Sequence, residues 1–571
     1  MSGLTRRELI ALGGLVGAGV ALGGTAARAA SLVAGTGRAI SVDGTTLQAV
    51  ATPVTAGTDS YTRLASGPGW PLVVREDLAT GRASRDDRRT AVTAFAQLTD
   101  LHVLDAESPA RFEYVHPLIP SAHRPQEALA PVATIALVER INALRDGPFT
   151  GRRLDAVITT GDNTDNHELL ELDWFLALLN GGQFTPTSGD PARFEGVQTS
   201  GSSHYWNPGR AIAGAWTDKG FPTIPGLLEA AGKTVTSPGL ALPWFCTFGN
   251  HDDSVAGTLA DMPGTEEWYT GRWKVIGRDE GDMRRIARAL REPGPSLSVK
   301  DLTSAGVVRE VTPDQRRRPF TPGEFVRAHL EAPGRSGPAG HGFTEDNADG
   351  QDVYYSFCLA PGITGISLDT TTTALADGSI GQRQLRWLER QLRQNSSVYW
   401  TNDGTRVRQS VSDELFVLFS HHTSTTMGNL LPDRRHPLDP RLPGAALVAL
   451  LNRYPNVVAW VNGHTHANKI TPHAGDRPEL GFWEINTASH IDSPQLARLI
   501  EVADNKDGTL SLFTTLVEAD APYAAGYGDF SAPGLASLYR ELSYNDLHVN
   551  LDQLGETTDR NTELLLVNPL A

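Results

Sequence analysis

The sequence predicts an α/β fold, and three observations support this prediction. Short runs of consecutive apolar residues alternate along the chain with longer segments of helical periodicity, an order that is typical of α/β proteins. The runs lack polar alternation, which is the pattern of strands buried on both faces of a sheet. Five of the runs end in a polar cluster. Because the carboxyl ends of the strands in such sheets gather ligand-binding residues at one edge, we expect these distant clusters to converge.

The five predicted strands with polar ends cover residues 94–98, 154–158, 244–248, 415–419 and 457–461. The clusters that follow them, in the same order, are Asp100 with His102, Asp162, Asn250 with His251 and Asp252, His421 with His422, and His464 with His466.

Further elements are predicted from periodicity. Helical patterns cover residues 130–144, 384–392, 445–451 and 535–542, and two more strands are expected at 495–502 and 510–516 to complete the main sheet system. Two segments rich in glycine and proline, about 181–240 and 254–350, are interpreted as insertions.

The length and charge of the chain limit its class. The 571 residues indicate one large catalytic domain with insertions, or two domains. The formal net charge is −16, so we expect no surface for nucleic acid or for an anionic membrane. A phosphate substrate is compatible with this charge, because bound metal ions supply local positive charge.

The N-terminus predicts export. Thr5 to Ile10 form a twin-arginine pattern, an apolar stretch follows to Gly24, and Ala27-Arg28-Ala29 offers a small-x-small cleavage site. Residues 1–29 are therefore predicted to be a removable signal peptide that the twin-arginine export machinery recognises. The apolar stretch is too short and too rich in glycine for a stable membrane anchor. The mature protein is expected to be extracellular, periplasmic or associated with the cell wall.

The two cysteines, Cys246 and Cys358, exclude a zinc-finger spacing. One disulfide is compatible with export, but two buried free thiols in strands are the favoured interpretation.

The polar clusters offer carboxylates, one amide and imidazoles, without a thiolate. This ligand set favours iron, manganese or zinc held by nitrogen and oxygen. A two-metal hydrolase needs a bridging carboxylate, further ligands for each ion and a proton donor near the leaving oxygen. Taken singly, the signals are weak, since Asp162 alone would more often be a turn residue. Five of them in order, each ending a strand, point to a metal site.

In this order, Asp100-x-His102, Gly161-Asp162, Gly249-Asn250-His251-Asp252, His421 and Gly463-His464-x-His466 resemble the motifs of calcineurin-like metallophosphoesterases. The chain is also similar to a subgroup with twin-arginine signals and long inserts between motifs. The resemblance covers residues 92–500, preceded by an N-terminal extension at 30–91 and followed by a C-terminal extension at 501–571 that completes the fold. It implies a four-layer α/β/β/α sandwich with two mixed sheets and large insertions.

The resemblance also implies the role of each residue. Asp100, His102 and His466 would bind the first metal, Asn250, His421 and His464 the second, and Asp162 would bridge them. His251 would face the leaving group, and Asp252 would hold its imidazole. A metal-bound hydroxide would then hydrolyse a phosphate mono- or diester.

Some positions leave alternatives open. His422 competes with His421 as a ligand, although the family pattern favours the first of the pair. Purple acid phosphatases have a tyrosine three positions after the bridging aspartate, where this chain has Asp165, so a tyrosinate-bound ferric centre is not expected. A catalytically silent exported binding or cell-envelope protein on the same scaffold, and a metal-dependent hydrolase of a non-phosphate bond, are the rival interpretations.

Residues outside the motifs give weaker signals. His204-Tyr205-Trp206 is interpreted as a hydrophobic plug that anchors the first insertion, or else as a substrate-facing wall. The run Arg316-Arg317-Arg318 is typical of a solvated surface. His490 either lines the pocket or is structural, and seven other histidines show no partner pattern: His116, His123, His329, His341, His436, His473 and His548.

Overall fold

The computed structural model describes residues 32–33, 39–54, 60–292, 297–332, 336–350, 352–372 and 374–571. The predicted signal peptide, residues 1–29, lies outside these residues. Among the described helices, none combines the length and the apolar character needed to cross a bilayer.

Two mixed sheets form the centre of the molecule. Their strands, in chain order, are β1 (Val73–Arg75), β2 (Thr90–Leu98), β3 (Ala156–Thr160), β4 (Trp244–Thr247), β5 (Tyr355–Ala360), β6 (Ile363–Ser367), β7 (Leu415–Phe419), β8 (Val457–Asn462), β9 (Lys469–His473), β10 (Phe482–Asn486), β11 (Ala497–Asp504), β12 (Thr509–Val517) and β13 (Thr562–Val567).

Sheet 1 has the order β4-β3-β2-β11-β12-β13-β1 and sheet 2 has the order β5-β6-β7-β8-β10-β9. In sheet 1, β4, β3 and β2 are parallel to one another, and β2 pairs antiparallel with β11. In sheet 2, β6, β7, β8 and β10 are parallel. All five strands that precede the polar clusters therefore belong to the parallel parts of the two sheets.

The helices of the described residues are α1 (Ala130–Ala143), α2 (Leu169–Asn180), α3 (Ala215–Lys219), α4 (Leu227–Ala231), α5 (Thr265–Tyr269), α6 (Glu280–Arg291), α7 (Val299–Thr303), α8 (Pro322–Glu331), α9 (Glu345–Gly350), α10 (Gln382–Gln394), α11 (Gly444–Leu451) and α12 (Ala532–Tyr544). The four helices predicted from periodicity are α1, α10, α11 and α12.

The pattern of burial in β7 shows how the layers stack. Val417 and Phe419 belong to the apolar cluster shared with sheet 1, where Phe419 meets Phe95 edge to face at 5.6 Å. The alternate residues, Phe416 and Leu418, belong to a second cluster together with α10 and α11. Because β7 is buried on both faces, it carries the uninterrupted apolar run that the sequence shows.

The opposite side of sheet 1 is covered by α1 and α2, whose buried residues join the same central cluster. The C-terminal helix α12 packs against α1 in a further cluster. The predicted architecture, an α/β/β/α sandwich with two mixed sheets, is thus confirmed.

The segments outside the predicted catalytic region also build the sheet. β12 and β13 extend sheet 1, and β13 pairs in parallel with β1 from the N-terminal side. Additional two-stranded pairs join Leu32–Val33 with Ala39–Ile40, Ala49–Pro53 with Leu64–Pro68, Gly182–Phe184 with Val235–Ser237, Trp273–Gly277 with Val307–Glu310, Ile380–Gly381 with Arg441–Leu442, and Val398–Trp400 with Arg406–Arg408.

Two expectations about single residues are corrected. Both cysteines are free, but only Cys246 is buried and Cys358 is exposed. Within the arginine run, Arg317 is completely buried and its Nε lies 3.0 Å from Asp105 Oδ2. An isolated run of charges carries no signal for such a distant partner, so the sequence did not distinguish Arg317 from its neighbours.

Candidate metal centre

The predicted ligands share an unusual backbone conformation. Asp100, His102, Asp162, His464 and His466 have φ values of 50°, 43°, 51°, 70° and 56°. For residues other than glycine this left-handed region costs of the order of 1–3 kcal/mol, and such residues concentrate at functional sites. The turns that follow β2, β3 and β8 are thus bent sharply at the positions where the ligands project.

Two glycines allow the strand ends to approach each other. A Cβ atom on Gly463 would lie 2.4 Å from Asp100 Oδ2, and one on Gly249 would lie 2.3 Å from Asp162 Oδ1. Both distances are far inside van der Waals contact, so any side chain at either position would displace a predicted ligand. This explains why glycine precedes His464 and Asn250.

The first group of predicted ligands surrounds Asp100. Its Oδ1 lies 3.2 Å from His466 Nε2, and His102 Nε2 lies 3.6 Å from Asp162 Oδ2. His102 Nε2 is buried and has no hydrogen-bond partner among the described residues. Asp100, His102 and His466 offer one ligand atom each within 4.8 Å of one another.

The second group lies on the other side of Asp162. Asp162 Oδ2 is 3.1 Å from His421 Nε2, which lies 3.2 Å from His464 Nδ1. Asn250 Nδ2 donates to Gly257 O at 3.0 Å, whereas its buried Oδ1 has no partner among the described residues. Asp162 thus lies between the two groups, as expected of a bridging carboxylate.

The donor set fits a pair of metal ions. Buried oxygen and nitrogen atoms of both groups face one another here, and His102 Nε2 and Asn250 Oδ1 have no hydrogen-bond partner among the described residues. Such orphaned atoms are costly in a buried site unless a cation satisfies them. The residues that would hold the two ions are Asp100, His102, Asp162, Asn250, His421, His464 and His466.

The electrostatics agree with a site built for cations. Burial opposes protonation of His421 and His466, but the carboxylates beside them outweigh burial. Asp162 and Asp100 raise the pKa of His421 to about 9, and Asp100 and Asp492 raise the pKa of His466 to about 10. The carboxylates therefore stabilise positive charge at this point of the molecule.

A layer of partners orients the imidazoles from behind. His102 Nδ1 donates to Asp165 Oδ1 at 2.9 Å, His466 Nδ1 to Asp492 Oδ2 at 2.7 Å, and His421 Nδ1 to Thr160 O at 2.9 Å. A carboxylate or carbonyl oxygen can only accept, so these contacts place a proton on Nδ1 and direct Nε2 towards the other predicted ligands. This arrangement is typical of histidines that bind metal.

The two carboxylates of this layer are in turn held by buried arginines. Arg124 binds Asp492 through two hydrogen bonds of 2.6 and 2.9 Å, and Arg111 pairs with Asp165. Burial opposes ionisation of Asp165 and Asp492, but the arginines outweigh it and hold the pKa of both well below the usual range. The sequence gives no signal for these positioning roles: Asp165 lies beside a motif, but its partner Arg111 and the pair Arg124 and Asp492 are linked to the motifs by no spacing.

His251 lies at the edge of the site. Its Nδ1 donates to the main-chain oxygen of Asp165 at 2.5 Å, its ring meets His102 edge to face at 4.6 Å, and its side chain is 22% exposed. Because Nδ1 is occupied, Nε2 is the nitrogen free to exchange a proton with a bound molecule.

The expectation that Asp252 orients His251 is wrong. The Asp252 carboxylate instead accepts hydrogen bonds from the backbone of Gly249, Asn163 and Thr164 and from the side chains of Asn163 and Thr164, at 2.9–3.2 Å. It therefore ties the turn after β3 to the turn after β4 and fixes the distance between Asp162 and Asn250. The Asp165 main chain takes the place expected for Asp252.

His422 has both ring nitrogens occupied. Nδ1 lies 2.9 Å from Thr370 Oγ1, and Nε2 donates to Ala376 O at 2.8 Å. His421 keeps Nε2 free towards Asp162, so the geometry favours His421 over His422 as the ligand.

The weaker candidates from the sequence, residues 204–206 and His490, lie outside the ligand groups. Tyr205 and Trp206 are buried and anchor the first insertion, whereas His204 is exposed. His490 is buried against Tyr539 at a ring distance of 5.5 Å and belongs to no ligand group.

Comparison with known proteins finds similarity in structure but not in sequence. No protein-family model matches the chain, and no curated protein matches it in sequence. A dimetal phosphatase from Danio rerio is similar in structure, with 10% identity and a TM-score of 0.33 over 75% of this chain and 99% of that one. A purple acid phosphatase from yellow lupin seeds has 10% identity and a TM-score of 0.26, over 79% of this chain and 53% of that one. The architecture and the convergence of the strand ends rest on the chain's own sheets and contacts.

Proposed function

We propose that the protein is a binuclear metal-dependent phosphoesterase that hydrolyses a phosphate mono- or diester. The observation that carries this proposal is the position of Asp162 between two groups of buried nitrogen and oxygen ligands, with Oδ2 at 3.1 Å from His421 Nε2 and at 3.6 Å from His102 Nε2. A carboxylate between two ligand groups is what a pair of closely spaced ions requires.

Two bound ions of iron, manganese or zinc would supply Lewis acidity and an activated water at neutral pH. The chain's own residues do the positioning. Asp165 and Asp492 fix the imidazoles of His102 and His466, and Asp252 fixes the two turns that carry Asp162 and Asn250. His251, with its Nδ1 proton held by Asp165 O, offers Nε2 to protonate the leaving oxygen or to stabilise its charge.

The export route is also part of the proposal. The twin-arginine pattern in residues 5–10 supports transport of a folded chain, which suits an enzyme that must bind its metals before it leaves the cytoplasm. The mature enzyme would act outside the cytoplasmic membrane on a phosphate ester.

The test uses mature protein that has been stripped of metal and then supplied with manganese, zinc or iron. Turnover of a nitrophenyl monoester and of a bis-nitrophenyl diester is measured for the native chain, Asp162→Asn and His251→Gln. The control is Asp476→Asn, which changes an exposed aspartate outside the site. We expect metal-dependent turnover in the native chain and the control, and none in Asp162→Asn.

The preferred ester then defines the substrate class. A native chain that binds two metals without hydrolysing either ester would favour the silent-scaffold alternative. A native chain that binds no metal would overturn the proposal.

A further inference from the structure

A second group of histidines lies outside the metal centre. The ring centroid of His116 is 5.7 Å from that of His123, 6.5 Å from His204 and 5.6 Å from His548. We call these four residues the histidine cluster. They come from the segment after β2, from the first insertion and from the segment after α12, so three distant parts of the chain meet here.

Two members of the cluster are buried without satisfying their ring nitrogens. His116 is 4% exposed and His123 is 1% exposed. Neither nitrogen of His116, nor Nε2 of His123, has a hydrogen-bond partner among the described residues. One polar neighbour of the His116 ring is the main chain of His204, which partly opposes the lowering of the His116 pKa by burial; the oxygen of that residue also accepts a hydrogen bond from Trp216 at 2.9 Å. An unsatisfied buried polar group costs about 1–3 kcal/mol, so a ligand bound to these nitrogens would stabilise the folded protein.

His123 is oriented in the way that the ligands of the metal centre are. Its Nδ1 donates to Glu127 Oε1 at 2.8 Å, as the Nδ1 of His102 donates to Asp165 and that of His466 to Asp492. The contact places the proton on Nδ1 and leaves the lone pair of Nε2 directed away from the carboxylate. A carboxylate behind an imidazole of this kind also raises its basicity towards a metal.

The charges around the cluster favour a cation over an anion. Burial, with His123 and His548 nearby, lowers the pKa of His116 to about 3, so its imidazole is neutral, and neutral imidazole is the form that binds metal. The Glu127 and Asp546 carboxylates lie close to His123. Arg111 opposes them only in part, because it divides its hydrogen bonds among Glu127, Glu113 and Asp165. Lys219, beside His548, opposes a cation, but it is engaged by the main-chain oxygen of Asp546 at 3.0 Å.

Other buried histidines in the described residues lack this combination. His341 also has both nitrogens unsatisfied, but it stacks on Trp244 at a ring distance of 3.6 Å. His490 is unsatisfied as well, and it faces Tyr539 and the cation of Arg540. Neither is surrounded by further imidazoles with an orienting carboxylate.

We propose that His116, His123, His204 and His548 form a separate mononuclear site for a transition-metal ion of the zinc type. Imidazole nitrogen suits zinc, and zinc takes four ligands in tetrahedral geometry. Within the described residues, the groups whose ligand atoms lie within 4.8 Å of one another all belong to the metal centre. Binding therefore requires movement of side chains in the cluster. His204 and His548 are the two exposed members, and exposed side chains change rotamer readily.

An ion at this point would fasten the first insertion and the C-terminal segment to the buried pair, His116 and His123. Because a structural ion stabilises only the folded arrangement of its ligands, it contributes directly to folding free energy. The site is independent of the hydrolytic reaction proposed above.

The experiment measures zinc bound per chain after loading and dialysis of stripped mature protein, in an Asp162→Asn background that disables the bridged centre. His204→Asn and His548→Asn are added together, because both residues are exposed and their replacement leaves the core intact. We expect the double change to remove one zinc ion per chain after dialysis. Loss of an outer partner of a ligand typically weakens metal affinity by about 10–100-fold, so loss of two ligands should weaken zinc affinity at this site by at least that much. His436→Gln, a histidine paired with Asp352 outside both sites, is the matched control.

A second readout identifies the ligands. With one equivalent of cobalt in place of zinc, the Asp162→Asn protein should show the visible absorption of a tetrahedral nitrogen-ligated ion, and His116→Gln should abolish it. Equal zinc content with and without the two exposed histidines, or a cobalt spectrum unchanged by His116→Gln, would overturn the proposal. These outcomes do not depend on whether the enzyme hydrolyses any ester.

Discussion

The metal centre and the histidine cluster use the same imidazole chemistry on different scaffolds. In the centre, the ligands follow parallel strands, and five of them are held in left-handed backbone conformations. In the cluster, the ligands come from loops, and two of the four are exposed. The comparison shows what the strand ends contribute: they fix ligand atoms in advance, whereas the cluster must gather two of its ligands when an ion arrives.

The largest expected loss of turnover comes from a change in the metal centre, at Asp162. Asp162→Asn keeps the backbone, because asparagine tolerates the φ of 51° found there, but it removes the bridging charge. Turnover should fall to background, a loss larger than the roughly 10²–10⁴-fold expected for a proton-transfer group. Metal content and turnover are measured together. Native-like turnover with two bound ions would contradict a bridging role.

His251→Gln is expected to have the next largest effect. It removes the group that faces the reacting oxygen while leaving all seven predicted ligands, so turnover should fall by about 10²–10⁴-fold with metal content unchanged. The loss should be greater for an alkyl ester than for a nitrophenyl ester, since nitrophenolate leaves without a proton. An equal loss for both esters would argue for a structural role of His251.

Asp492→Ala tests the layer behind the ligands. The His466 imidazole would lose its orienting acceptor at 2.7 Å, and metal affinity should fall by about 10–100-fold. Metal titration is the measurement, and Asp520→Ala, which removes an exposed aspartate paired with Arg140, is the control. Unchanged affinity in Asp492→Ala would show that the strand ends alone hold the site.

The smallest expected effect on turnover comes from a change in the histidine cluster, at His116. His116 and the predicted ligands share no hydrogen-bond partner, so His116→Gln should change turnover by no more than about 0.5 kcal/mol, roughly twofold. A loss comparable with that of His251→Gln would mean that the cluster belongs to the catalytic centre.

The sequence predicted the elements that are determined locally. Short, mainly apolar runs marked β2, β3, β4, β7 and β8, because strands buried on both faces need no polar alternation. The predicted ligands lie close together because each directly follows such a strand. The partners that orient the imidazoles could not be predicted, since the pairing of His466 with Asp492 and of Asp492 with Arg124 arises only when distant loops meet. The buried pair of Arg317 with Asp105 was missed for the same reason. Asp252 shows the same limit, because its place beside His251 in the sequence suggested a contact that the turn does not allow.

The pairing of β2 with β11 has a consequence for biosynthesis. Gln97, in the strand that leads to Asp100, accepts a hydrogen bond from Thr487, which is 390 residues further along the chain. At about 5–20 residues per second, a ribosome needs roughly 20–80 s to make that stretch. Throughout this interval β2 lacks its neighbour on one side, and the main-chain oxygen of Asp100 lacks its donor, Ile491 N. The nascent chain therefore cannot complete the candidate metal centre until β11 has been made, and any metal would be acquired only after that point.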